Sequence, residues 1–221
     1  MMKTTLRREQ MNRAFRWAAL LFAGFLIVTQ QVMGEGPLID FDAWVARGKR
    51  PKLGPWLEFA VKKIDNLGLR GLTATVLIIA AVIVARRYRS WRPLNLAFLS
   101  LLVLNGVVGI SKLAIGRTKP RMNIDLVKAG GLSYPSGHAS NALLTWGMLA
   151  YIAYRYTHRA ARHGTALAVS VATITLSVCI VSLFRNTHWF SDLLGGLFIG
   201  GALLVLIIAI DRFVPSDSQH S

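Results

Sequence analysis

Long apolar runs separated by short basic stretches organise this sequence. Six runs reach or approach the 17 to 25 residues or so that a helix needs to cross about 30 Å of hydrocarbon. The six predicted spans are residues 14–34, 69–85, 94–116, 139–154, 165–184 and 190–210. The pattern therefore predicts an all-α integral membrane protein, built as a bundle of six transmembrane helices.

Composition supports this class and excludes others. Of the 221 residues, 53% are hydrophobic and only 16% are charged, and the mean hydropathy is +0.46, which excludes an ordinary soluble domain and a disordered chain. The single cysteine, Cys179, lies inside an apolar run and cannot form a disulfide framework. A net charge of +16 would suggest a nucleic-acid partner in a soluble protein. Here the basic residues are expected instead to set the orientation in the membrane and to bind an anion.

Basic residues also predict the orientation, because short cytoplasmic loops of membrane proteins carry an excess of Lys and Arg. Such residues concentrate in the N-terminal tail at 1–13 and in the connections at 86–92 and 155–162. Both termini are therefore predicted to be cytoplasmic, in a bacterial plasma membrane. The first helix is predicted to remain uncleaved, since no clear small-residue cleavage site follows it.

One domain, residues 14–213, is predicted between the basic tail and a polar cytoplasmic tail at 214–221. Its long outer connection, residues 35–68, mixes aromatic and basic residues. This mixture fits either short helices lying on the outer leaflet or an ordinary loop anchored by aromatic side chains. In the last span, Gly196 and Gly200 form a GxxxG motif, which favours packing between helices of the same chain over a dimer contact. An oligomer is possible but not implied.

Three polar clusters interrupt the apolar pattern at residues 112–121, 134–140 and 182–192. With six alternating crossings, all three emerge on the outer side. They bring together cations that suit an anion, and Arg in particular matches phosphate oxygens with two parallel hydrogen bonds. The cationic residues are Lys112, Arg117, Lys119, Arg121 and Arg185. Ser136 and Gly137 open the fourth span, where free backbone N–H groups add anion affinity.

Two histidines in these clusters, His138 and His188, are candidates for catalysis. Imidazole titrates near neutral pH, so one ring could attack phosphorus while the other gives a proton to a leaving oxygen. Asp192 follows His188 by four residues, which on a helix places both on one face. The carboxylate can then hold one ring nitrogen and leave the other as a nucleophile.

In register, these motifs resemble the type 2 phosphatidic acid phosphatase (PAP2) family. The family pattern is Lys, six residues, Arg-Pro; then Pro-Ser-Gly-His; then Ser-Arg, five residues, His, three residues, Asp. The middle motif is complete at residues 135–138. Three positions depart from the pattern: Lys119 stands where the first motif has Arg, and Val181 and Ser182 stand where the third motif has Ser and Arg.

The resemblance implies a PAP2-like helical bundle and a role for each matching residue. His188 is the implied nucleophile, Asp192 its orienting partner and His138 the acid. The implied phosphate ligands are Lys112, Lys119, Ser136 and Gly137. To these we add Arg185, one turn beyond Ser182, as the replacement for the missing arginine, and Arg117, for which an interfacial anchor is the alternative.

The predicted activity is hydrolysis of a lipid phosphate or isoprenyl diphosphate through a phosphohistidine intermediate on the outer face. Undecaprenyl diphosphate, phosphatidic acid and phosphatidylglycerol phosphate all fit as substrates. No metal or other cofactor is expected, because cationic side chains already neutralise the phosphate. Two alternatives stay open: a phosphotransferase that uses another lipid as acceptor, and a noncatalytic phospholipid-binding protein, which the two missing arginines would suggest.

Overall fold

The computed structural model describes residues 2–122, 125–157 and 162–213, and within these ranges the regular structure is helical throughout. The helices are α1 (Met2–Met33), α2 (Pro37–Arg47), α3 (Pro55–Asn66), α4 (Arg70–Arg87), α5 (Arg92–Ile115), a 3₁₀ turn (Pro120–Met122), α6 (Gly137–Tyr156), α7 (Gly164–Phe184) and α8 (Phe190–Phe213). The predicted tail at 214–221 lies outside the described residues, as do residues 158–161 of a predicted basic connection.

Apolar runs and helices coincide closely. The predicted bounds of the last five spans fall within three residues of α4 to α8, whereas α1 begins at Met2 and runs through most of the predicted basic tail. Glycine and proline set several helix ends. Gly116 ends α5 in the left-handed conformation, at φ 60°, which favours glycine, and Pro93 lies in the first turn of α5, where no backbone N–H is needed.

Four helices in the described residues are long and apolar enough to cross a membrane: α1, α5, α7 and α8. The pair α3 and α4, bent by 57° at its junction, would make a fifth span if it is one broken crossing. α6 does not reach this apolarity because its first half contains polar residues, including Ser140, Asn141 and Thr145, all of them buried. The all-helical membrane class is thus confirmed, while the count of six spans stays a prediction.

Small residues bring α6 and α8 into close contact. A Cβ atom built on Gly196 would lie 2.6 Å from the carbonyl oxygen of Ser136, and one on Gly200 would lie 3.1 Å from Cα of Ser140. The GxxxG motif therefore packs helices of the same chain, as favoured from the sequence. This contact sets the start of α6 against the first turns of α8.

The connection at 35–68 is mainly helical, as one of the two predicted alternatives requires, while its place on the outer leaflet stays a prediction. α2 and α3 each begin with a Gly-Pro pair, a combination suited to a helix start. α2 reaches the start of α8, where the rings of Phe41 and Phe190 meet edge to face at a centroid distance of 5.0 Å. α3 packs beside α7, and the turn after it approaches α6.

Candidate active site

Three helix ends meet at one end of the bundle and bring the two histidines together. His138 lies in the first turn of α6, His188 directly precedes α8, and their ring centroids are 5.8 Å apart. Lys112, in the last turn of α5, donates hydrogen bonds to the carbonyl oxygens of Leu132 and Ser133. Three motifs that are distant in sequence therefore share one site.

Ser136 and Gly137 form the start of α6. The hydroxyl oxygen of Ser136 accepts a hydrogen bond from the backbone N–H of Ala139 at 3.3 Å, which caps the helix. A Cβ atom on Gly137 would lie 3.9 Å from Cε of Lys112, so the lysine stem passes close to this helix start. An anion here would meet the helix N-terminus and the Lys112 ammonium together.

His188 is held by Asp192. Nδ1 of His188 lies 3.3 Å from Oδ2 of Asp192, with both side chains buried. Oδ2 also accepts hydrogen bonds from the Ser133 hydroxyl at 2.5 Å and from the backbone N–H of Trp189 at 3.0 Å. The proximity expected from the four-residue spacing is present, although His188 precedes the helix, so that Asp192 reaches back across its first turn. Nδ1 being engaged, Nε2 is the nitrogen left for a substrate.

Behind Asp192 lies the Arg117 network, which consists of Arg117, Asp42, Asp125, Ser191 and Asp192. The Arg117 guanidinium is fully buried, and each of its five N–H donors has an acceptor. Nη1 bonds Asp192 at 2.9 Å and Ser191 at 2.6 Å, Nη2 bonds Asp42 at 2.7 Å and Asp125 at 2.5 Å, and Nε bonds Asp125 at 2.8 Å. The network thereby joins α2, the loop after α5 and the start of α8.

The buried position of Arg117 differs from the prediction, which placed it at the surface of the site. The guanidinium has no exposed surface and no donor left for a phosphate, so the structure replaces both predicted roles, phosphate ligand and interfacial anchor, with a structural one. Burial alone would lower the pKa of Arg117, but the hydrogen bonds with Asp125 and the charge of Asp192 outweigh it and raise that pKa above its usual value. Burial raises the pKa of Asp42, and the bonds from Ser191 and Arg117 offset this only in part.

Arg185 lies at the edge of the site, in an ion pair with Asp65 of α3. The same carboxylate accepts a hydrogen bond from the Ser182 hydroxyl at 3.3 Å. Arg185 and the position of the missing family arginine therefore share one partner. A Cβ atom on Gly68 would lie 2.9 Å from the carbonyl oxygen of His138, so the turn that follows α3 packs directly against the site.

The predicted site residues thus fall into three groups. Lys112, Ser136, Gly137, His138, His188 and Asp192 are together at the convergence of α5, α6 and α8. Lys119 is exposed just before the 3₁₀ turn, and Arg185 is partly exposed beside α3. Arg117 alone is turned inward, behind Asp192.

Sequence reasoning missed four residues that support the site: Asp42, Asp65, Asp125 and Ser133. A signal existed for the three aspartates, because the chain holds only 10 acidic residues against 26 Lys and Arg. A buried acidic residue in so basic a protein has a high chance of pairing with a buried cation. Asp42 also interrupts the apolar face of a helix, between Phe41 and Trp44.

Fold and site together define a multi-pass integral membrane phosphatase. The PAP2 superfamily matches residues 93–214, more than half of the sequence, and the chain belongs to this superfamily. Phosphatidylglycerophosphatase B of Bacillus subtilis (strain 168) is 26% identical over 167 residues, which span 75% of this chain and 80% of that protein. The crystal structure described as the first transmembrane PAP2 type phosphatidylglycerolphosphate phosphatase from Bacillus subtilis superposes with a TM-score of 0.80 at 20% identity, covering 90% of this chain and 98% of the other.

Proposed function

We propose that this protein hydrolyses the terminal phosphomonoester of an anionic membrane lipid, of the phosphatidylglycerol phosphate type, through a phosphohistidine at His188. The observation that carries the proposal is the buried His188–Asp192 pair, which engages Nδ1 and leaves Nε2 for attack. The second histidine, at a centroid distance of 5.8 Å, suits proton transfer to a leaving oxygen. The curated relative, whose name refers to phosphatidylglycerophosphate, supports this lipid class.

The reaction proceeds in two displacements at phosphorus. In the first, Nε2 of His188 forms a bond to phosphorus while the bond to the lipid oxygen breaks, and His138 gives that oxygen a proton. In the second, His138 takes a proton from water, the water oxygen forms a bond to phosphorus while the bond to Nε2 of His188 breaks, and inorganic phosphate leaves. Lys112 and the α6 N-terminus stabilise the charge on the phosphoryl oxygens in both steps, with Lys119 and Arg185 at the edge.

Phosphate release by the purified protein tests this function directly. The protein in detergent micelles with EDTA is given phosphatidylglycerol phosphate, phosphatidic acid and undecaprenyl diphosphate in turn, with His188→Ala as the matched control. We expect metal-independent release, fastest from phosphatidylglycerol phosphate, and none from the variant. Release that requires a second lipid as acceptor would identify a phosphotransferase, and no release from any lipid would favour a noncatalytic lipid-binding protein.

The proposed orientation places the site on the outer side of a bacterial plasma membrane and both termini in the cytoplasm. It is tested with Cys179→Ala as background and single cysteines at Ser90, in the connection before α5, and at exposed Ala129, near the site. A membrane-impermeant thiol reagent added to intact cells should label position 129 and spare position 90. Labelling of position 90 alone would reverse the topology.

A further inference from the structure

Two apolar grooves flank α8 at the end of the bundle remote from the histidines. One groove, of about 430 Å³, lies between α1 and α8 and is lined by Ala14, Trp17 and Val205, among others. The second, of about 500 Å³, lies between α6, α7 and α8 and is lined by residues such as Leu167 and Val171. At 1.5 Å per residue, the residues of α8 that line these grooves, from Leu204 to Phe213, lie about 20 to 35 Å from the start of the helix at Phe190.

Both grooves share the same ridge on α8. Ile208 and Arg212, which are one helical turn apart, line both of them. Arg212 is exposed, and its guanidinium lies 5.7 Å from the centre of the Tyr151 ring. Arg13 and Gln10 add polar groups to the first groove. Each groove is therefore apolar along its length and ends at a guanidinium.

The carboxylate of Asp211, which directly precedes Arg212, does not neutralise these two arginines. Asp211 is buried and bonds Arg92 at 2.7 Å and Arg155 at 2.8 Å. In the part of the chain that the structure describes, no ion pair joins a carboxylate to Arg13 or Arg212. This end of the bundle thus offers two guanidinium groups to an anion, directly above apolar grooves.

We propose that this end binds one anionic phospholipid, with its phosphate between Arg13 and Arg212 and its two acyl chains in the grooves on either side of the α8 ridge. Guanidinium groups suit phosphate oxygens, and basic pockets between membrane helices bind anionic head groups. A zwitterionic lipid carries a cationic group beside its phosphate, which the two arginines repel, so it should bind this site more weakly. The site lies at the opposite end of α8 from the catalytic residues and is independent of the proposed function.

Native mass spectrometry of the purified protein tests the proposal with an equimolar mixture of phosphatidylglycerol and phosphatidylcholine. Wild-type protein should retain one phosphatidylglycerol in preference to phosphatidylcholine. Each arginine is expected to contribute about 1 kcal/mol to the binding free energy of the anionic lipid. Arg13→Ala and Arg212→Ala should therefore each reduce retention about fivefold, and the double variant about thirtyfold. The matched control is Arg87→Ala, an exposed arginine of α4 that lines neither groove and should leave retention unchanged.

A groove-filling variant separates specific binding from charge attraction. Ala168→Phe narrows the second groove and keeps both arginines, so it should also reduce retention, while phosphate release stays at the wild-type rate. Thermal unfolding of each variant in detergent verifies that it is folded, and Arg212→Gln replaces Arg212→Ala if that variant is not. Equal retention of the two lipids by wild-type protein, or an equal loss in Arg87→Ala, would overturn the proposal.

Discussion

Replacing Arg117 with lysine tests whether the buried guanidinium is a structural centre of the catalytic end. Lysine keeps the positive charge but supplies three donors where arginine supplies five. Because all five donors of Arg117 have acceptors, the substitution loses at least two hydrogen bonds. The buried site gives water little opportunity to replace them, since Asp42 and Asp192 have no exposed side-chain surface.

The expected cost follows from the number of bonds lost. A hydrogen bond to a charged group contributes about 1.5 to 3 kcal/mol, so two such bonds give about 3 to 6 kcal/mol. The guanidinium also lies 5.2 Å from the centre of the Trp189 ring, a cation–π contact that lysine reproduces less well. Local relaxation favours the lower end, about 3 kcal/mol, which for a chain of this size lowers Tm by about 6 to 12 °C.

Thermal unfolding in detergent micelles, followed by tryptophan fluorescence, measures this shift, and Trp189 reports from beside the substituted residue. Arg121→Lys is the matched control because it makes the same chemical change in the same loop. Arg121 is exposed, and its Nε and Nη2 both donate to one acceptor, the carbonyl oxygen of Arg185, at 3.2 and 3.1 Å. A single lysine donor can serve that acceptor, so its effect should stay within about 0.5 kcal/mol.

Activity should change in the same variant, since Asp192 loses one of the bonds that hold it toward His188. We expect kcat to fall more than KM rises in Arg117→Lys, while Arg121→Lys leaves kcat within about threefold of wild type. A Tm within about 2 °C of the wild-type value would refute the reasoning, as would an equal shift in both variants. Either result would mean that the bonds of the buried guanidinium contribute little.

The remaining predictions concern the catalytic residues and the missing arginine. His188→Ala should abolish phosphate release, whereas Asp192→Asn should retain a small residual activity. Asp192→Asn leaves the nucleophile in place but misorients it, which lowers the rate by powers of ten without reducing it to zero. Full activity in His188→Ala would exclude the covalent mechanism. Arg185→Ala should lower kcat about thirty- to a thousandfold, the loss of about 2 to 4 kcal/mol expected for one transition-state donor, and a change below about threefold would exclude this role. In that background Ser182→Arg should recover part of kcat, since the new guanidinium would extend from position 182, whose serine already bonds Asp65.

Features that depend on sequence-local patterns were predictable. The apolar runs predicted helices α4 to α8 closely, because the requirement to satisfy backbone hydrogen bonds in hydrocarbon leaves few other structures. The four-residue spacing of His188 and Asp192 predicted their proximity, although His188 precedes α8 and Asp192 reaches back to it across the first turn. The number of spans was less accessible, because α6 carries buried polar residues in its first half, and hydropathy measures apolarity and not burial.

Features that depend on long-range pairing were not predictable. Arg117 bonds Asp42 and Asp192, each 75 residues away along the sequence, and no local pattern indicates which acids it meets. An arginine is suited both to a phosphate and to buried carboxylates, so residue type alone does not decide between the two roles. Arg185 illustrates the converse: its place one turn beyond Ser182 was expected to matter, but Asp65, the partner that both residues share, comes from α3.

The Arg117 network makes α2 part of the catalytic end. Asp42 accepts hydrogen bonds from Arg117 and from the backbone N–H of Ser191, the latter at 2.9 Å, so one carboxylate of α2 contacts both the loop after α5 and the start of α8. Ser191 precedes Asp192 directly, and a shift of α2 would therefore be transmitted to the carboxylate that holds His188. Asp42 also accepts a hydrogen bond from the Ser191 hydroxyl, and a connection that only spaced two membrane helices would not need a buried acid with three hydrogen bonds. The segment at 35–68 is thus a structural part of the site, and substitutions on the buried face of α2 should affect catalysis more than those on its exposed face.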